Sequence, residues 1–157
     1  MQGLSGGLSY EVALLLYVGG HMRKRGNPRR TNSSRRNALR ARMLASGEPC
    51  WLCELPLDRT KPNLDPEQPV LDELTPIAMG GSPYRGDNVR GAHRCCNNWR
   101  KTKSVETVQM IKSAIMQSGA RWQTPQQFVT LAKAAEVAIQ KQAVTKAYSP
   151  PHPSTDW

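Results

Sequence analysis

The chain is poor in large apolar side chains. Its 157 residues include one Phe, aromatic residues make up 6% of the sequence, and the hydrophobic fraction is 38%. A single domain of this length then buries only a modest core, and a further constraint is needed to supplement it. The apolar run Val12 to Val18 is far shorter than the roughly 20 residues that a membrane-spanning helix requires. It also lacks the basic flank that precedes a signal-peptide core. No internal repeat is visible, which excludes a solenoid. Acidic residues are scarce, 12 Asp and Glu against 22 Lys and Arg, for a formal charge of +10 and a pI near 9.9. That imbalance favours a polyanion such as DNA, RNA or an anionic surface over an acidic protein substrate.

Histidine is also sparse, with His21, His93 and His152 the full set. The four cysteines are Cys50, Cys53, Cys95 and Cys96. Their spacing favours metal thiolates in a reducing cytosol over two disulfides.

Composition divides the chain into segments. Residues 1–21 are set aside as a translation-start extension or an added segment, because Met22 opens a different composition. Residues 1–33 together are expected to be a disordered extension and basic arm: from Arg23 to Arg42 there are nine Lys or Arg and no acid. Leu39 and Met43 at helical spacing predict a short helix over about 34–44. Residues 34–104 form the expected core. Within it, 56–69 carries four prolines and reads as an extended loop, while Val70 to Leu74 and Asn88 to Gly91 read as two short strands. A helix over about 94–103 would close a β-β-α unit. Residues 105–148 are expected to be helical, with Ser104 capping one helix and Thr124-Pro125-x-Gln127 opening another. The proline-rich stretch 149–157 is expected to be a disordered tail.

The chemistry concentrates between two chelating pairs, Cys50-x-x-Cys53 and His93-x-x-Cys96. Pairs with two-residue gaps can close a long loop on one tetrahedral zinc. Cys95 has Ala92 at the matching position and is expected to be a small buried thiol; if it replaced His93 as a ligand, a histidine would be freed for catalysis. Inside the frame lie Asp72-Glu73 and Asp87-Asn88, and Asn97 follows directly.

Leu71-Asp72-Glu73-Leu74-Thr75-Pro76, Gly80-Gly81-Ser82-Pro83, Gly86-Asp87-Asn88-Val89 and His93-Arg94-Cys95-Cys96-Asn97 together resemble the HNH (His-Me finger) endonucleases. The likeness is greatest to compact zinc-containing members from bacteriophages, and it covers roughly residues 50–104. It implies an α+β fold: a small ββα-metal core stapled by a structural zinc, with flanking N- and C-terminal helices. It implies that Cys50, Cys53, His93 and Cys96 hold Zn²⁺, and that Asp72 and Asn97 bind a catalytic divalent ion, Mg²⁺ or Mn²⁺. Asn88 would pin the loop and orient a general base. DNA is the implied substrate, the implied reaction is phosphodiester hydrolysis or nicking, and a phage terminase is an implied partner. The implied location is the cytoplasm, the host's if the chain is phage-encoded, with no membrane association.

The chain departs from the pattern at the base, where the family has histidine and position 73 is glutamate. Either Glu73 is the base, or the site binds DNA without cutting it. Neighbouring strand residues point to opposite faces, so Asp72 and Glu73 serve one site only if the strand ends there. Outside the metal centre, Arg94, Arg100, Lys101 and Lys103 are the expected DNA contacts. Trp51 and Trp99 are expected to pack over the zinc, and Met110, Ile111, Ile115 and Phe128 to be core. The oligomeric state is not legible.

Overall fold

The computed structural model describes Arg29 and residues 32–147. The expectations for residues 1–28 and for the tail 149–157 lie outside the described residues. Among the described residues the chain is α+β, with four α-helices and one two-stranded antiparallel sheet.

Helix α1, Ser33–Ser46, is longer at both ends than its apolar spacing predicts. Asn32 caps its start by accepting the Arg35 N–H at 3.3 Å, and Gly47 stops it in a left-handed conformation at φ 70°. Leu39 and Met43 form its inner face as expected. Close approach there depends on Gly91, where an added Cβ would lie 2.7 Å from Leu57 and 2.8 Å from Met43.

The two strands are β1, Pro69–Glu73, and β2, Val89–His93. Their register pairs Pro69 with His93, Leu71 with Gly91 and Glu73 with Val89. This register carries the second chelating pair to the start of β1 and the acidic pair to its end. The connection is a wide turn with two 3-10 segments, Ile77–Met79 and Gly86–Asn88. Helix α2, Arg94–Arg100, leaves β2 without a break. It ends three residues earlier than expected, because Lys101 takes φ 54° and cannot continue the helix.

Helix α3, Val105–Gln117, starts at Ser104, whose hydroxyl accepts the Thr107 N–H at 3.2 Å. Helix α4, Pro125–Ala147, starts with a reciprocal capping box. Thr124 Oγ1 accepts the Gln127 N–H at 3.2 Å, and Gln127 Oε1 accepts the Thr124 N–H at 3.3 Å.

The single Phe sits at the centre of the core. Phe128 is fully buried, with Trp99 and Trp122 packed edge-on at centroid distances of 5.4 and 5.2 Å. Val108, Ile111, Ile115 and Ala132 complete the helical side, and Cys50, Leu52, Cys53, Ala92 and Cys96 the metal side. Met110, expected in this core, is instead 51% exposed. Its position on α3 lies one residue from the Val108, Ile111, Ile115 stripe, which turns it toward solvent.

Candidate metal centre and acidic site

Cys50, Cys53, His93 and Cys96 are all buried, and their ligand atoms lie within 4.8 Å of one another. The first pair sits in a tight turn docked on the sheet. Cys50 N–H donates to Leu55 O at 2.9 Å, Glu54 N–H to Cys50 O at 2.8 Å, and Trp51 N–H to Gly91 O at 3.1 Å. The second pair spans the β2–α2 junction, where one residue ends a strand and the other opens the first helical turn. His93 presents Nδ1 to Cys53 Sγ at 3.3 Å, while its Nε2–H donates to Pro56 O at 3.0 Å. The carbonyl thereby fixes the tautomer that leaves Nδ1 free to coordinate.

Protonation in the cluster follows from its crowding. Hydrogen bonds from Cys53 and Cys96 hold the Cys50 thiol far below its usual value, whereas Cys96 is pushed up by bonds to Cys50 and Cys53 and by burial. Burial opposes charge on His93, but its bonds to the Cys50 and Cys53 sulfurs outweigh that and raise it to about 10. Three soft sulfur donors and one oriented imidazole in a dry pocket fit a tetrahedral Zn²⁺. Cys95 is half-buried and outside this group, with its N–H bound to Pro66 O at 2.8 Å.

The acidic pair at the end of β1 is split between two environments, as strand alternation dictates. Asp72 faces α2. Its Oδ2 accepts the Trp51 indole N–H at 2.9 Å and its Oδ1 accepts Arg100 Nη1 at 2.9 Å. Arg100 is 1% exposed, also donates to the Glu73 and Leu74 carbonyls, and stacks 5.1 Å from the Trp51 ring centroid. Burial raises Asp72 to about 6, against the pull of Arg100 and the Trp51 hydrogen bond. Glu73 faces α1. Arg29 donates to both of its oxygens, and Arg36 Nη1 donates to Oε1 at 2.8 Å. Burial works against its charge, but the two arginines outweigh that and lower its pKa.

One expectation changes as a result. Arg100 is not a DNA contact, because it lies inside the fold as the partner of Asp72. Each oxygen of Asp72 already accepts one hydrogen bond, so an ion bound there would share the carboxylate with Trp51 and Arg100. Trp51 packs against the core that holds the cysteines, as expected, and also buttresses Asp72 and Arg100, while Trp99 also packs on Phe128. Arg29 and Arg36 are the site residues that sequence reasoning missed, and Arg100 is the one to which it gave another role. The available signal was the cationic stretch itself, in a chain whose sole buried carboxylates among the described residues are Asp72 and Glu73.

Asn88 ties the loop together. Its Oδ1 accepts the Thr75 N–H at 2.9 Å, and its Nδ2 donates to Thr75 O and Ser82 O, both at 3.1 Å. Its own carbonyl accepts the Leu74 N–H at 2.8 Å. Gly81 makes this closure possible, as an added Cβ there would meet Thr75 O at 1.7 Å. Asn97 is half-buried on α2, three residues before Arg100 and so on the same side of that helix. Arg94 is held by Gln68 Oε1, with its Nε at 3.1 Å, and Lys103 by Glu136 at 3.0 Å.

No family model, curated protein or solved structure matches this chain. Among the described residues no helix is long and apolar enough to cross a membrane.

Proposed function

We propose that the chain is an HNH-type endonuclease that hydrolyses or nicks DNA with a divalent ion. The observation that carries this reading is the Asn88 clasp. One amide side chain ties the residue after the Asp72-Glu73-Leu74 segment to the Gly-Gly turn, and the next element delivers Asn97 directly after a chelating residue. A solvated turn needs no such threefold tie.

On this reading zinc is structural. Asp72 and Asn97 would supply oxygen ligands to Mg²⁺ or Mn²⁺, which stabilises charge on the phosphate and on the leaving oxygen when bound. Glu73 is the general base. Its present pairing makes it a poor one, because Arg29 and Arg36 stabilise its ionised form. A DNA phosphate entering beside α1 competes for those guanidinium groups, and their transfer to the phosphate would raise the basicity of Glu73. Substrate binding and activation of the base are then one exchange of ion pairs. A terminase partner and a location in the host cytoplasm belong to the same proposal.

The second reading is a catalytically impaired, zinc-stapled DNA-binding or packaging accessory protein. It is favoured by the charge count at the acidic pair: three guanidinium groups, Arg29, Arg36 and Arg100, face two carboxylates. A site with excess positive charge opposes a divalent cation.

Supercoiled plasmid with added Mg²⁺ or Mn²⁺ separates the two. Wild type should yield nicked or linear DNA, and Glu73→Ala and Asn97→Ala should lose that activity while keeping their circular dichroism and zinc. Intact plasmid across pH 6 to 9, with DNA binding retained, would establish the accessory reading instead.

A further inference from the structure

Helix α2 has two working faces. Asn97 and Arg100 share one side, from which Arg100 reaches Asp72, whereas Arg94 and Asn98, four residues apart, and Lys101 just past the helix end line a separate groove. The opposite wall comes from α4, with Val129, Lys133 and Glu136, and Leu64 and Pro66 close one end. The groove encloses about 520 Å³.

Its charge is one-sided. Arg94, Lys101, Lys103 and Lys133 face a single carboxylate, Glu136, which is paired with Lys103 at 3.0 Å. The ammonium groups of Lys101 and Lys133 meet no carboxylate among the described residues, and both side chains are exposed.

A second, independent feature is backbone strain. Three non-glycine residues among those described have left-handed φ, and two of them border this groove: Leu64 at 73° and Lys101 at 54°. Glycine would adopt the Lys101 conformation without a steric penalty, so a lysine there opposes stability. Such strain collects where a side chain must be presented to a ligand. Leu64 is 73% exposed and offers an apolar surface beside the cations. Cations with an adjacent apolar side chain suit a nucleic-acid strand, whose phosphates alternate with sugars and bases.

We propose that the α2–α4 groove is a second DNA contact that holds one strand's backbone outside the acidic cleft. Lys101 and Lys133 neutralise phosphates, and Leu64 packs against a sugar or base. The inference rests on DNA being the partner and does not require cleavage.

The test is fluorescence anisotropy with labelled single-stranded and duplex oligonucleotides, titrated with salt. Divalent ions are omitted and no chelator is added, so that zinc is retained. Lys101→Gly and Lys133→Ala should each weaken binding and lower the salt slope by about 1, the signature of one lost phosphate contact. Lys141→Ala removes the same charge from an exposed site on α4 outside the groove and should keep the wild-type slope. Lys101→Gly should also keep or raise the melting temperature, which separates lost contact from lost fold. Wild-type slopes in both groove variants would overturn the groove and leave the DNA reading intact, and equal losses in all three variants would replace it with diffuse attraction. Absence of DNA binding by wild type overturns both ideas. Loss of plasmid nicking alone, with the groove effects present, removes only the nuclease reading.

Discussion

The metal centre and the acidic site occupy the two ends of the same pair of strands, yet they are built on opposite principles. In the Cys50, Cys53, His93, Cys96 cluster the donors face one another, and the oriented imidazole is tied to a single backbone carbonyl. Such a cluster could hold a metal ion. At Asp72 and Glu73 every carboxylate oxygen already accepts a hydrogen bond, and arginines supply most of them. The first arrangement could take its cation from outside; the second is already neutralised by the protein. A buried anion can therefore be satisfied from outside the chain or from within it, and the two solutions have different consequences for substitution.

The largest effect should come from the metal side. Structural zinc in small modules contributes on the order of 10–16 kcal/mol of apparent binding free energy, much of it expressed as folding. Cys50→Ser should lose zinc by elemental analysis and its cooperative thermal transition with it. Stoichiometric zinc and an unchanged transition in that variant would show that the cluster is not the staple.

A smaller but still large effect is expected from Arg100 or Asp72. Removing one partner of a buried ion pair leaves an uncompensated charge, and typical losses are about 3–5 kcal/mol. Arg100→Ala should approach that range. Arg29→Ala should cost no more than about 1 kcal/mol, because its side chain is 47% exposed and its attraction is screened. Equal losses in denaturant melts would erase the distinction between the interior and peripheral arginines. It follows that an inactive Asp72→Ala says nothing about catalysis unless the variant is shown to be folded. The pH dependence carries a definite sign. Asp72 is raised from 3.8 to about 6, so the native state takes up its proton more readily than the unfolded chain between those values. Wild-type stability relative to Asp72→Asn should rise as pH falls from about 6 toward 4. Glu73, shifted downward, favours the folded state above its unfolded value and loses that contribution only at lower pH.

The same contrast explains what was legible in the sequence. Two-residue gaps bring donors together through local geometry, so Cys50, Cys53, His93 and Cys96 were visible as a candidate ligand set. The Ser104 cap and the Thr124-Pro125-Gln127 box were local in the same sense, as was the alternation that splits Asp72 from Glu73. The partners of the carboxylates were not local. Arg36 and Arg100 lie 37 and 28 residues from Glu73 and Asp72, and nothing in a run of arginines says which of them turns inward. Arg100 accordingly looked like one cation of a DNA-binding cluster, when the core had taken it.

The smallest expected effect sharpens the metal side further, at the one position where the sequence left two ligand sets open. Cys95 and Cys96 are adjacent on α2, and a helix turns about 100° per residue, so both cannot face the same point. The structure turns Cys96 inward at 0% exposure and leaves Cys95 half-buried beside the α2–α4 groove. Cys95→Ala should therefore retain one zinc per chain and change stability by less than about 1 kcal/mol, in keeping with a half-buried side chain that is not a ligand. His93→Ala should lose the metal. The reverse pattern would mean that Cys95, and not His93, completes the site in solution.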